Sequence, residues 1–110
     1  MTKTTPKHVE QYKRTFATYQ ANFGLMGWSL YFERRPSEAN GWIKLGNLPD
    51  RVATVGLATE IDTTIKFIAK HEALELLFAR YQRLAELCSN VEILDEERHA
   101  IIRTLEKIIP

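Results

Sequence analysis

The sequence predicts an α+β domain, in which helices cover one face of a small, mostly antiparallel three-stranded sheet. Apolar residues recur at helical spacing near the start of the chain and through its second half. Three short stretches between these regions have the composition of strands. The order helix, three strands, helix, helix keeps strands and helices apart, as α+β folds do. With 110 residues, the chain is expected to form a single domain over residues 1–110, with residues 1–6 flexible.

The first helix is predicted from Lys7 to Phe23. Its apolar residues recur at spacings of three and four: Val9, Tyr12, Phe16, Tyr19 and Phe23. Gly24 follows at the position where glycine commonly ends a helix.

Three strands are predicted next. "WSLYFERR" places Trp28, Leu30 and Phe32 on one side of the first strand. "GWIKLGN" forms a short second strand, and the β-branched "RVATVGLA" forms the third. "RPSEANG" and "LPD" predict the turns between them.

Two helices are predicted to complete the domain. A long helix runs from about Thr59 to about Leu87. Ser89, followed three residues later by Glu92, resembles a capping box that opens a last helix, which continues to the end of the chain.

The composition narrows the class of protein. A net charge of +1 gives no general case for nucleic-acid binding. No apolar run is long enough to span a bilayer, and the polar N-terminus has no signal-peptide core. The single cysteine, Cys88, excludes an intramolecular disulfide and fits a reducing compartment. We therefore expect a cytoplasmic protein without a membrane or nucleic-acid partner.

One stretch of the long helix carries candidate chemistry. His71-Glu72-Ala73-Leu74-Glu75 is one letter away from H-E-x-x-H, the pattern by which a helix presents two zinc-binding histidines and a general base. His71 and Glu75 are four residues apart, so both side chains can reach a single ion. Glu72 lies 100° away around the helix, where it could reach a metal-bound water.

A third metal ligand would come from the last helix. His99 is the only histidine downstream, and a hairpin of the two helices could bring it against His71 and Glu75. Two histidines and one carboxylate form a ligand set that catalytic zinc sites use. Other interpretations remain open: His71 as a hydrogen-bonded core histidine, Glu75 paired with Arg80 or Arg103, and His99 on an exposed face.

From about Tyr12 to Leu105 the chain resembles a family of small phage and prophage proteins, the zincin-like metallopeptidases, which are related in fold to SprT-like proteases. The resemblance rests on "WSLYFE", "RVATVGLA", "IAKHEALELLFARYQRLAE" and "EERHAIIRTLE", in that order. It implies zinc as cofactor, His71 and His99 as ligands and Glu72 as general base. Family members have histidine where this chain has Glu75.

The resemblance further implies a minimal zincin-like domain that acts in the cytoplasm of a bacterial host cell. Its activity would be hydrolysis of peptide bonds in a protein or peptide substrate, with the strand around Val52 to Leu57 pairing with the substrate backbone. The alternative is a non-catalytic module on the same fold that binds a host or phage protein. His71, Glu72 and Glu75 would then form a hydrogen-bonded cluster, and the third strand would be an edge open to strand addition.

Overall fold

The computed structural model describes residues 1–46, 51–86 and 91–110. Three helices and five strands lie in these ranges, in the order β1 (Thr2–Lys3), α1 (Pro6–Asn22), β2 (Ser29–Arg35), β3 (Gly41–Leu45), β4 (Val52–Ala58), β5 (Glu60–Ile61), α2 (Ile65–Glu86) and α3 (Val91–Ile108). The α+β class is as predicted. The predicted "LPD" turn, Leu87 and Ser89 of the predicted capping box lie outside the described residues.

The three long strands form a sheet in the order β2-β4-β3. β4 runs parallel to β2 and antiparallel to β3. The strand "RVATVGLA" is therefore central, and the prediction that it pairs with a substrate or serves as an open edge is wrong, because both of its sides are already hydrogen-bonded. The free edges of this sheet, among the described residues, belong to β2 and β3.

The burial of β4 explains its central place. Ala53, Val55 and Leu57 on one face are fully buried, and Gly56 and Ala58 on the other face are also buried. A strand covered on both faces has a nearly continuous run of apolar residues rather than an alternating one, and "VATVGLA" has that composition. Pairing with β2 on one side and with β3 on the other leaves these two strands at the edges.

α1 and α2 cover the same face of this sheet. Tyr12 and Phe16 of α1 meet the ring of Phe32 edge to face, with centroids 5.9 and 5.8 Å apart. α1 ends with Gly24 in the left-handed region (φ 72°), and the Leu25 N–H donates to the carbonyl of Gln20 at 2.8 Å, as in a Schellman motif. The predicted helix end is confirmed.

Residues 2–4, within the segment predicted to be flexible, contact the rest of the domain in this structure. Thr2 and Lys3 pair with β5. Thr4 is buried, and its hydroxyl donates to the Ala58 carbonyl at 2.8 Å. Arg34 donates from Nε to the Thr4 hydroxyl (2.8 Å) and from its terminal nitrogen to the Thr4 carbonyl (2.6 Å). These bonds hold the chain start against the sheet.

α2 begins later than predicted, at Ile65 rather than near Thr59. Residues 60–61 are used by β5, and the Thr64 hydroxyl accepts a hydrogen bond from the Phe67 N–H at 3.1 Å, as an N-cap residue does.

α3 packs on α2, and its carboxyl end is held by Lys70, whose ammonium donates to the carbonyls of Glu106 and Ile109 at 2.8 and 2.9 Å. Within the described ranges, no helix is both long and apolar enough to cross a membrane.

Candidate functional site on α2 and α3

His71 lies at the contact of α2 with α3. Its Nδ1 is 2.6 Å from Oε1 of Glu106, and because a carboxylate oxygen only accepts, Nδ1 carries the proton. Its Nε2 is 3.5 Å from Oε1 of Glu75. About a third of the His71 side chain is exposed. Glu106 thus fixes the ring and turns Nε2 toward the Glu75 carboxylate.

The Glu75 carboxylate is approached by three nitrogen-bearing side chains, those of His71, Arg98 and His99. The guanidinium of Arg98 pairs with its Oε2, while Nδ1 of His99 lies 3.8 Å from its Oε1. Arg98 also contacts Asp95 at 3.7 Å. The Nε of Arg98 is buried without a hydrogen-bond partner among the described residues. Among the described residues Arg98, rather than Arg103, is therefore the cation that balances Glu75, and the side chain of Arg80 lies outside them.

Glu72 is the most deeply buried carboxylate of this group, with 6% of its surface exposed. Burial raises the pKa of Glu72 to about 7; interactions with His71 and Arg98 act to lower this pKa, and the Glu106 carboxylate acts to raise it. Among the described residues, its one ion-pair contact is with Nε2 of His71, at 3.9 Å. Glu72 can therefore exchange a proton near neutral pH.

His99 lies on α3 and is nearly half exposed. Partial burial, followed by the charge of Arg98, lowers the pKa of its imidazole below the usual range. His99 faces Glu75 without forming a hydrogen bond with it.

Two pockets border this cluster along β3. One, of about 290 Å³, is lined by Ala39, Asn40, Gly41, Phe67, Ile68, His71 and Glu72. The other, of about 180 Å³, is lined by Ile43, Leu45, Glu75, Ala79, Gln82, Asp95 and Arg98. Gly41 is needed at the first, because a Cβ there would lie 2.8 Å from an Ile68 methyl and 3.2 Å from the Glu72 side chain. β3 therefore approaches α2 closely.

The structure brings together the four residues that the sequence predicted: His71, Glu72, Glu75 and His99. Sequence reasoning missed Arg98 and Glu106, which contact Glu75 and His71. A signal existed for Glu106, because it follows His99 by seven residues, two turns along the same helix face.

The described side chains do not fit a zinc ion as they stand. Among residues 1–46, 51–86 and 91–110, no group of three or more His, Cys, Asp or Glu side chains is placed to hold a metal ion. The physical reason lies at Glu75, whose carboxylate is already paired with Arg98. A divalent cation added there would meet the fixed positive charge of the guanidinium.

Comparison with known proteins found no match to a family model, a curated protein or a solved structure. The zincin-like resemblance of "KHEALELL" stays a prediction. What this cluster of residues can do depends on its own geometry and charge.

Proposed function

We propose that the protein binds an extended polypeptide segment along the free edge of β3. The supporting observation is the hydrogen-bond pattern of this strand. The Ala58 N–H donates to the Asn40 carbonyl, and the Gly46 N–H donates to the Val52 carbonyl, each at 2.8 Å. Because hydrogen-bonded pairs alternate in an antiparallel ladder, the even-numbered residues of β3 bond to β4. The odd-numbered residues direct their backbone groups away from it.

The outward backbone groups belong to Gly41, Ile43 and Leu45. They form a row of donors and acceptors of the kind that strand addition uses. The larger pocket touches Gly41, and the smaller one touches Ile43 and Leu45, so the two follow each other along the strand. Alternate side chains of an added strand, about 7 Å apart, would point toward the two pockets in turn.

Binding of an unfolded protein tests this proposal. We expect fluorescein-labelled casein to bind the parent, measured by anisotropy with EDTA present. Ile43→Pro removes an outward N–H but no ladder bond, and should weaken binding at least about tenfold. Ile43→Val keeps the N–H and should bind within about twofold of the parent. Circular dichroism checks that both variants fold. If the parent does not bind, or if Ile43→Pro binds as well as Ile43→Val, the proposal fails.

Metal-dependent peptide hydrolysis is a second proposal, favoured by one contact. The Glu106 carboxylate holds Nδ1 of His71 and leaves Nε2 free, as outer carboxylates do for metal-binding histidines. His71 Nε2 and His99 Nδ1 both face Oε1 of Glu75, at 3.5 and 3.8 Å. Zinc binding at these atoms would require Arg98 to leave Glu75.

A zinc titration tests the second proposal. His99→Ala should weaken zinc binding by about tenfold or more without changing helix content. Glu75→His should bind zinc at least as tightly as the parent and gain casein cleavage, which Glu72→Gln added to Glu75→His should abolish. Absence of zinc binding in the parent and in Glu75→His would exclude this function.

A further inference from the structure

We propose that the pocket beside Gly41 receives a cationic side chain, arginine or lysine, from the polypeptide bound along β3. This inference rests on the proposed function and names the class of side chain that the pocket selects. Its basis is a buried carboxylate that faces a pocket and lacks a donor.

The carboxylate is that of Glu72, which lines the pocket and is 6% exposed. Among the described residues it makes no hydrogen bond, and its one ion-pair contact, with Nε2 of His71, is long at 3.9 Å. An anion buried without close partners costs several kcal/mol, and a donor entering the pocket would recover part of that cost. The pocket is therefore complementary to a donor.

The neighbouring charges favour a cation as that donor. Glu75 is neutralised by Arg98, and Glu106 accepts the Nδ1 proton of His71. Among the described residues Glu72 has no hydrogen-bonded cation of its own, and its one ion-pair contact is the 3.9 Å approach of His71 Nε2. A guanidinium or ammonium group can supply both the hydrogen bond and the charge.

The pocket walls suit the rest of such a side chain. Phe67, Ile68 and Ala39 provide apolar surface, and Phe67 is 44% exposed. Arginine and lysine combine an apolar stem with a charged tip, so the stem would lie on Phe67 and Ile68 while the tip reaches Glu72. The volume of about 290 Å³ is at the small end for ligand sites, which matches one side chain.

An eight-residue peptide library with one position fixed as arginine or as citrulline, its neutral isostere, tests the selection. EDTA is present, so that a bridging metal cannot contribute. The arginine library should bind the parent at least about tenfold more tightly than the citrulline library. Glu72→Gln should reduce this ratio to near one. Glu10→Gln, which removes the same charge at an exposed position of α1, should keep the full ratio.

A second measurement examines the pocket without a peptide. Butylguanidinium should shift the amide resonances of Gly41 and Ile68 in the parent but not in Glu72→Gln, and butylurea should shift them in neither. Peptide binding without an arginine preference would overturn the inference and leave the proposed function standing. Butylguanidinium binding without any peptide binding would overturn the proposed function and support the cation pocket. If butylguanidinium shifts no resonances and the peptides show no arginine preference, the inference is overturned.

Discussion

Replacing Glu72 with glutamine should stabilise the protein at neutral and alkaline pH and have little effect in acid. The folded protein raises the pKa of Glu72 from 4.5 to about 7, chiefly by burial. Between these values the folded state holds a proton that the unfolded state has lost, so stability falls as the pH rises from 4.5 to 7. At about 1.4 kcal/mol per pH unit, the full cost of ionised Glu72 is about 3 kcal/mol. Glutamine has no charge to bury and escapes this cost.

Urea denaturation of the parent and Glu72→Gln at several pH values measures the difference. We expect Glu72→Gln to be more stable by about 1 kcal/mol at pH 5 and about 3 kcal/mol at pH 8, because the unfolded carboxyl is already largely ionised at pH 5. Glu10→Gln, at an exposed position, should differ from the parent equally at both pH values. A Glu72→Gln difference that is constant with pH would refute the assignment of a raised pKa to this buried carboxyl.

Three further predictions concern the fold around the site. Gly41→Ala should lower the free energy of unfolding by about 1–3 kcal/mol, because its Cβ would lie 2.9 Å from the Gly56 carbonyl oxygen. Tyr12→Phe should cost about 1 kcal/mol in urea denaturation, since the buried Tyr12 hydroxyl donates to that same carbonyl at 3.0 Å. Arg34→Met should speed hydrogen exchange of the Thr4 amide, because two hydrogen bonds to Thr4 are lost.

Each of these has a clear contrary result. Unchanged stability in Gly41→Ala would mean that the Gly41 backbone does not lie as close to the Gly56 carbonyl and to Ile68 as the structure places it. Unchanged stability in Tyr12→Phe would mean that the Tyr12 hydroxyl does not stabilise the contact between α1 and β4. Equal exchange at Thr4 would show that Arg34 is not what holds the chain start.

Local patterns identified most of the elements. The three-and-four spacing in α1 and the β-branched residues of β4 come from short-range rules, and both elements formed close to the predicted bounds. The start of α2 was misplaced because the apolar spacing was given more weight than Thr64, whose capping hydroxyl marks the true beginning. That signal was present in the sequence.

The strand order is harder to predict from the sequence, because it depends on contacts between distant segments. "VATVGLA" was predicted as an edge or cleft strand, although its nearly continuous small and apolar composition fits a central strand. The partner of Glu75 could not be predicted from the sequence either. Which arginine of α3 meets it depends on how that helix is rotated against α2, and the sequence alone does not fix this rotation.

Lys70 holds the carboxyl end of α3 against movement along the helix axis. Its ammonium binds carbonyls at Glu106 and Ile109, so sliding α3 by one turn of about 5.4 Å would break both bonds. A swing about this end would keep them. Asp95 lies eleven residues from Glu106, about 16 Å along the axis, so a tilt of about 10° would displace it by about 3 Å. At that end the Gln82 amide of α2 donates to Asp95 at 2.7 Å. A side chain entering beside Arg98 would therefore widen the space there only by breaking this bond, while the His71–Glu106 contact, close to the end that Lys70 holds, stays closed.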